Sequence, residues 1–232
     1  MIWTEYTKNM YLGRINKLWT WMNEMRLRIV CDAVEIHYKI GSVLEVGSYD
    51  LYGSYYLITH AKFPITKITF SDKYDSEIYS IAECNKETLN EWYPMFKFEL
   101  LNANGEDYKF EKHDNLFVFE TFEYIIDEKK AIENLEDKAD RIFISYPVES
   151  GFIFAIKTIA RKILVGTDNH SLLDILRGLL GIKIKRVIGD HKGYDYRETI
   201  KMFKNFKVKS NKFYPFNCAY FAYGGVCVLE RI

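Results

Sequence analysis

Apolar, strand-like runs alternate with helix-like stretches from about residue 42 to the end of the chain. This alternation constrains the fold more than any other feature of the sequence. The runs are SVLEVG (Ser42 to Gly47), ITKITFSD (Ile65 to Asp72), MFKFELLNAN (Met95 to Asn104), NLFVFETFEYI (Asn115 to Ile125) and DRIFISYP (Asp140 to Pro147). A helix opening at Gly53 and Ser54 follows the first, and SEIYSIAECNKETLNEWY reads as a helix after the second. Two or three helical segments follow Pro147, and then two consecutive strands, FKVKSNKFYPF and AYGGVCVLERI, joined by a loop. The pattern predicts an α/β fold: a doubly wound, Rossmann-like, mostly parallel sheet with helices on both faces. The last two strands predict an antiparallel C-terminal hairpin at one edge. Ligands of such sheets bind beyond the carboxyl ends of the strands, where strand order reverses, and the first strand flanks that point.

Residues 1–40 predict a helical extension. Leu12, Ile15, Leu18, Trp19, Met22, Met25 and Ile29 recur at helical spacing, and Gly41 ends the region. Residues 41–232 form the main domain, with a candidate helical substrate cap around 150–190. The N-terminal helix is expected to pack on or cover the ligand cleft.

Lys and Arg number 32, and Asp and Glu number 32, so the formal net charge is zero. That balance argues against a general nucleic-acid binder, which needs a cationic surplus to neutralise phosphates. Cys31, Cys84, Cys218 and Cys227 lie far apart with no metal-ligand spacing. They read as reduced thiols of a cytoplasmic protein, two of them packed in the C-terminal strands, and no metal site is expected. The most apolar segment, GFIFAIKTIARKILV, is interrupted by Lys157, Arg161 and Lys162. It predicts an amphipathic helix and not a transmembrane segment.

Four strand ends carry the candidate chemistry. Glu45-Val46-Gly47-Ser48-Tyr49-Asp50 leads through a glycine loop to a helix N-terminus, which brings backbone N–H groups towards a ligand. Asp72 ends the second strand about 20 residues past that loop, where a carboxylate can accept from both hydroxyls of a ribose. Asn102 to Asp107, containing Asn104 and Gly105, follows the third strand and could meet a purine amino group, although Asn-Gly also favours a plain turn. Glu120 and Glu123 follow the fourth, near the centre of the sheet. Tyr49 stands where a dinucleotide motif has its second glycine and hinders the close backbone approach that a pyrophosphate needs. An NAD-dependent oxidoreductase is therefore disfavoured. A ligand with ribose and base but no phosphate fits better.

These segments, in this order, resemble a class I S-adenosylmethionine-dependent methyltransferase over roughly residues 40 to 232. VLEVGSYDLYGS resembles the family's first motif in a branch that lacks the second glycine. The resemblance implies S-adenosylmethionine as cofactor, with Glu45 and Gly47 at its methionine part, Asp72 at its ribose, and Ser48 and Tyr49 also in the cofactor set. NANGEDYKF resembles the adenine-side motif, with Asn104 where Asp is usual and Gly105 beside it, and Glu120 joins the cofactor set. DNLFVFETFEYI is similar to the fourth-strand motif, with Phe122-Glu123-Tyr124 in place of Leu-Glu-His. ISYPVESGF resembles the fifth strand with its proline, and HKGYDYRETIKMF the late helix that carries substrate-side residues.

The implied reaction is in-line displacement at the sulfonium methyl, to which positioning contributes roughly 7–11 kcal/mol in favourable systems. His191 and Tyr124 are the candidate catalytic residues. An imidazole pKa near 6.5 suits a general base, although Gly189-Asp190-His191-Lys192-Gly193 also reads as a polar turn. Tyr146, Glu149, Tyr194 and Asp195 are candidate substrate-binding groups. Two functional classes stay open: a methyltransferase acting on a small-molecule, glycan or lipid acceptor, and an inactive cofactor-binding or interaction protein of the same fold. Oligomeric state is open too.

The neutral total is also uneven. Residues 83–138 hold 15 acids against 7 Lys and Arg, whereas residues 157–212 hold 14 Lys and Arg against 5 acids. The basic stretch is the expected acceptor side, which raises an anionic acceptor as a reading beside two mutually pairing solvated faces.

Overall fold

The computed structural model describes residues 17–61, 64–164 and 169–232, without the side chains of residues 17–23 and 164. Helix α1 (Lys17–His37) precedes β1 (Gly41–Val46), α2 (Tyr52–His60), β2 (Ile65–Asp72), α3 (Ser76–Trp92) and β3 (Lys97–Asn102). Then come β4 (Asn115–Phe119), a 3-10 turn (Phe122–Tyr124), α4 (Glu128–Leu135), β5 (Arg141–Pro147), α5 (Gly151–Leu164) and α6 (Leu172–Leu179). The described chain closes with α7 (Tyr196–Met202), β6 (Phe206–Pro215), a second 3-10 turn (Ala219–Phe221) and β7 (Ala222–Arg231). The first sixteen residues of the expected N-terminal helix lie outside the described residues.

The sheet has seven strands in the order β3-β2-β1-β4-β5-β7-β6. Neighbours from β3 to β5 are parallel, and β7 runs antiparallel to both β5 and β6. The predicted doubly wound sheet with its antiparallel C-terminal hairpin is what forms. Strand order reverses between β1 and β4, so their carboxyl ends open the crevice where a ligand fits.

Successive residues of a strand face opposite sides. Val43, Ile68, Phe70, Phe117 and Phe143 therefore pack under α1, α2 and α3 with Val30, Val34, Leu57 and Leu89. Leu44, Leu116, Val118, Ile142 and Ile144 face the other way, against Ile132, Leu135, Phe203 and Phe206. Helix starts carry the expected caps: Asp75 accepts from the Ile78 N–H at 2.9 Å, and Ser171 with Asp174 forms a capping box on α6. Cys227 is buried in β7, but Cys218 is exposed before the second 3-10 turn, so only one thiol packs in the C-terminal strands. Among the described residues no helix is long and apolar enough to cross a membrane.

Candidate active site

A cavity of about 410 Å³ lies at the carboxyl ends of β1, β2 and β4. Its walls include Glu45, Gly47, Ser48, Tyr49, Asp72 and Glu120, all expected from the sequence, together with Asp50, Gly53, Thr121 and Tyr124. Helix α1 closes one side with Arg26, Leu27 and Val30, as the N-terminal segment was expected to do.

The β1–α2 loop reaches this position through unusual backbone. Gly47, Tyr49 and Leu51 all have positive φ, at 80°, 44° and 66°. At Gly47 this is obligatory for a second reason: a Cβ would stand 2.0 Å from Thr121 Oγ1. Thr121 closes over the glycine while its hydroxyl donates to the Phe119 carbonyl at 3.1 Å. The two non-glycine residues, Tyr49 and Leu51, are strained, and such strain persists only where the surroundings enforce it.

The loop's amide groups are used differently from expectation. The Gly47 and Ser48 N–H groups donate to the Ser71 carbonyl at 2.8 and 3.2 Å, and the Tyr49 N–H donates to Asp72 Oδ2 at 2.8 Å. They tie β1 to β2 instead of facing the cavity. At the start of α2 the Tyr52 N–H is taken by Asp50 Oδ1 at 3.0 Å, while helix geometry leaves Gly53 at the cavity without an intrahelical acceptor for its N–H.

The cavity is acidic. Glu45 is buried, and that burial pushes its carboxyl up to about 8, against the lowering effect of the hydroxyl that Ser54 donates to it. Burial also raises Asp50 and Asp72 above the usual carboxylate range. Asp72 Oδ1 accepts the Lys73 N–H at 2.7 Å, so each carboxylate oxygen holds one backbone donor and keeps a second lone pair for a ligand hydroxyl. Glu120, at φ 50°, pairs with Arg26 and accepts from the Tyr214 hydroxyl at 3.3 Å.

The remaining expected residues divide. Tyr124 is half exposed on the cavity wall, and burial of its ring together with Glu123 raises its phenol to about 12, so it stays a neutral donor. His191 is not on the wall. It stands behind Tyr124, ring centroids 6.4 Å apart, with Nε2 accepting from Arg161 at 3.1 Å and Nδ1 3.1 Å from Asp190. Its Nε2 lone pair is engaged by Arg161 in this arrangement, and burial lowers its pKa.

Asn104 and Gly105 do not line the cavity. The Asn104 side chain closes its own turn, accepting the Asp107 N–H at 2.8 Å and donating to Asp107 Oδ2 at 3.2 Å. Gly105 is buried against Val46 and Leu135.

Tyr146 and Tyr194 are buried and do not line this cavity, and Glu149, Tyr194 and Asp195 border a separate small cavity instead. Tyr146 is fully buried, stacked on Tyr196 at 4.2 Å and donating to Asn211, and Tyr194 meets Thr199 at 2.9 Å. Asp195 caps α7 through the Arg197 N–H and pairs with the Arg197 side chain at 2.8 Å. Glu149 is buried with Lys157 Nζ at 2.6 Å and His170 Nε2 at 3.4 Å. Among the described residues no cluster could hold a metal ion.

No protein-family model matches the chain, and no curated protein matches it by sequence. Solved structures do match. A methyltransferase of Clostridium acetobutylicum ATCC 824, described as S-adenosylmethionine-dependent, superposes with a TM-score of 0.61 at 11% identity, covering 99% of this chain and 97% of that one. The N-methyltransferase NodS of Bradyrhizobium japonicum WM9 gives 0.57 at 10% identity, over 90% of this chain and 96% of that one. The small RNA methyltransferase HEN1 gives 0.65 at 10% identity over 90% of this chain, which spans only 26% of the HEN1 chain.

The chain has the class I methyltransferase fold. In this methyltransferase fold the cavity occupies the β1/β4 switch point, and its acidic walls come from the strand ends that the sequence singled out. Sequence reasoning missed the α1 residues Arg26, Leu27 and Val30, and also Thr121. The apolar spacing of α1 signals a face over the cleft but not which of its side chains reach the cavity. The clash that Thr121 would make with any side chain at position 47 has no local sequence signal.

Proposed function

We propose that the chain is an S-adenosylmethionine-dependent methyltransferase whose cofactor occupies the cavity between β1, β2, β4 and α1. The observation that carries this reading is the ring of acidic side chains Glu45, Asp50, Asp72 and Glu120 around a cavity of about 410 Å³, with Arg26 as its only cationic wall residue among those described. That volume is in the range of small-molecule sites. A sulfonium and an ammonium both suit acidic walls, and Gly53 leaves room beside Glu45, since a Cβ there would stay 3.8 Å from Glu45 Oε1.

S-adenosylmethionine, when bound, supplies an activated methyl group. The protein supplies binding and orientation. Glu45 faces the cofactor's ammonium, Asp72 accepts from the ribose hydroxyls through its open lone pairs, and Leu27 and Val30 shield the site from water. Tyr124 stands on the acceptor side as a neutral hydrogen-bonding group, and His191 holds it in place from behind. The acceptor is a small-molecule, glycan or lipid nucleophile.

Thermal-shift titration with S-adenosylmethionine, S-adenosylhomocysteine and NAD tests the reading. Selective stabilisation by the two sulfur nucleosides is expected. Absence of any shift with either would overturn it.

A further inference from the structure

Helix α5 is apolar on its outward face as well as its inward one. Phe154, Ala155 and Thr158 pack inward, whereas Phe152, Ile156, Ile159 and Ile163 recur at i, i+4, i+7 and i+11 and are exposed, Ile163 to 76%. Helix α6 repeats the arrangement: Ile175 turns inward, while Leu172 and Leu176 are exposed, at 77% and 57%. The helices touch so closely that a Cβ on Gly178 would meet the Phe154 ring at 2.3 Å, so the two stripes belong to helices packed directly against each other. A surface helix of a globular domain normally turns charge outward, and exposed apolar stripes on two packed helices mark an interaction site.

Charge selects the partner. Arg177 on α6 and Lys185, next to Ile184 which packs beside Gly178, are exposed and have no ion-pair partner among the described residues. Of the described acids nearby, Glu149 pairs with Lys157 and Asp174 with Lys192 at 3.0 Å, while Asp190 faces the His191 ring at 3.1 Å. An apolar face edged by unpaired cations fits the boundary between acyl chains and anionic headgroups. A second copy fits less well, because an isologous dimer places the same patch on both subunits and so concentrates like charge at its rim.

We propose that the outward face of α5 and α6 docks the protein on anionic lipid bilayers. The inference is independent of the cofactor reading.

Co-sedimentation of the full chain with vesicles tests it, using pure phosphatidylcholine and an equal mixture of phosphatidylcholine and phosphatidylglycerol. Binding to the mixed vesicles, weak binding to the neutral ones and weakening with added salt are expected. The double variant Ile159→Glu/Leu176→Glu should lose at least about tenfold in binding, and so should Arg177→Glu/Lys185→Glu. All four positions are exposed, so circular dichroism and melting temperature should stay at native values. Three results would overturn the proposal: no binding to mixed vesicles, equal binding to both compositions, or binding that neither variant changes. A native dimer by light scattering that Ile159→Glu/Leu176→Glu dissociates would also overturn it, assigning the face to a second copy.

Discussion

Arg26 of α1 and Glu120 at the end of β4 form an ion pair across the wall of the cavity, 94 residues apart in sequence. The pair fixes the N-terminal helix to the switch point of the sheet, so α1 is a wall of the site and not an appendage to it. Its partners are mostly shielded, with side-chain exposures of 13% and 28%. Removing one partner therefore leaves a poorly solvated charge.

Arg26→Ala should lower stability by about 1–3 kcal/mol, the usual worth of a hydrogen bond to a charged group. Urea unfolding of the variant checks this. A loss below about 0.5 kcal/mol, the scatter of neutral surface changes, would show that the pair does not anchor α1.

Gly47→Ala should destabilise through two separable effects. Positive φ costs a non-glycine residue about 1 kcal/mol or more, and the new methyl would overlap Thr121 Oγ1. Thr121→Gly in the same chain should relieve the clash and leave the backbone strain. A double-mutant cycle with a coupling of about 0.5–3 kcal/mol is expected, and strict additivity would contradict the contact.

Glu45 makes both stability and ligand affinity depend on pH. Its folded pKa, near 8, lies above its unfolded value, so the folded state holds the proton between the two. The contribution to stability is full below about pH 4.5 and declines as pH rises towards 8. Glu45→Gln should flatten that decline in thermal melts. If Glu45 receives the cofactor's ammonium, binding below pH 8 releases a proton, and affinity should rise with pH by up to about tenfold per unit. Calorimetry in buffers of different ionisation enthalpy reads the proton directly.

Glu149 and Lys157 depend on each other. Burial alone would raise the Glu149 carboxyl, but the Lys157 ammonium and the His170 ring outweigh it and hold the carboxyl at about 2. Because the folded pKa is depressed, the stability it contributes is present above about pH 4.5 and lost as pH falls towards 2. Lys157→Met should cost about 3–5 kcal/mol by leaving a buried charge alone, and adding Glu149→Gln should recover most of it. No recovery in the double variant would contradict the pairing.

The fold was readable because strand–helix alternation is a long-range pattern that survives local noise. The loop glycine and the acid after β2 were readable because position relative to a strand end decides their role. The tyrosines were not. Tyr146 lies in a central strand buried on both faces, where alternation carries no information about which side chain meets a cleft. The role of Asn104 was hidden because an Asn-Gly turn satisfies its own side chain, and that of His191 because Arg161 comes from a distant helix. Arg26 and Thr121 act through contacts across the fold, which spacing along the chain does not reveal.

Calorimetric titration with S-adenosylhomocysteine tests most directly the cofactor site that Asp72 borders. The native chain should bind one equivalent, and Asp72→Ala should bind at least about tenfold more weakly, because the charged acceptor of the ribose hydroxyls is gone. No binding to the native chain, or equal affinity in the two proteins, would contradict it.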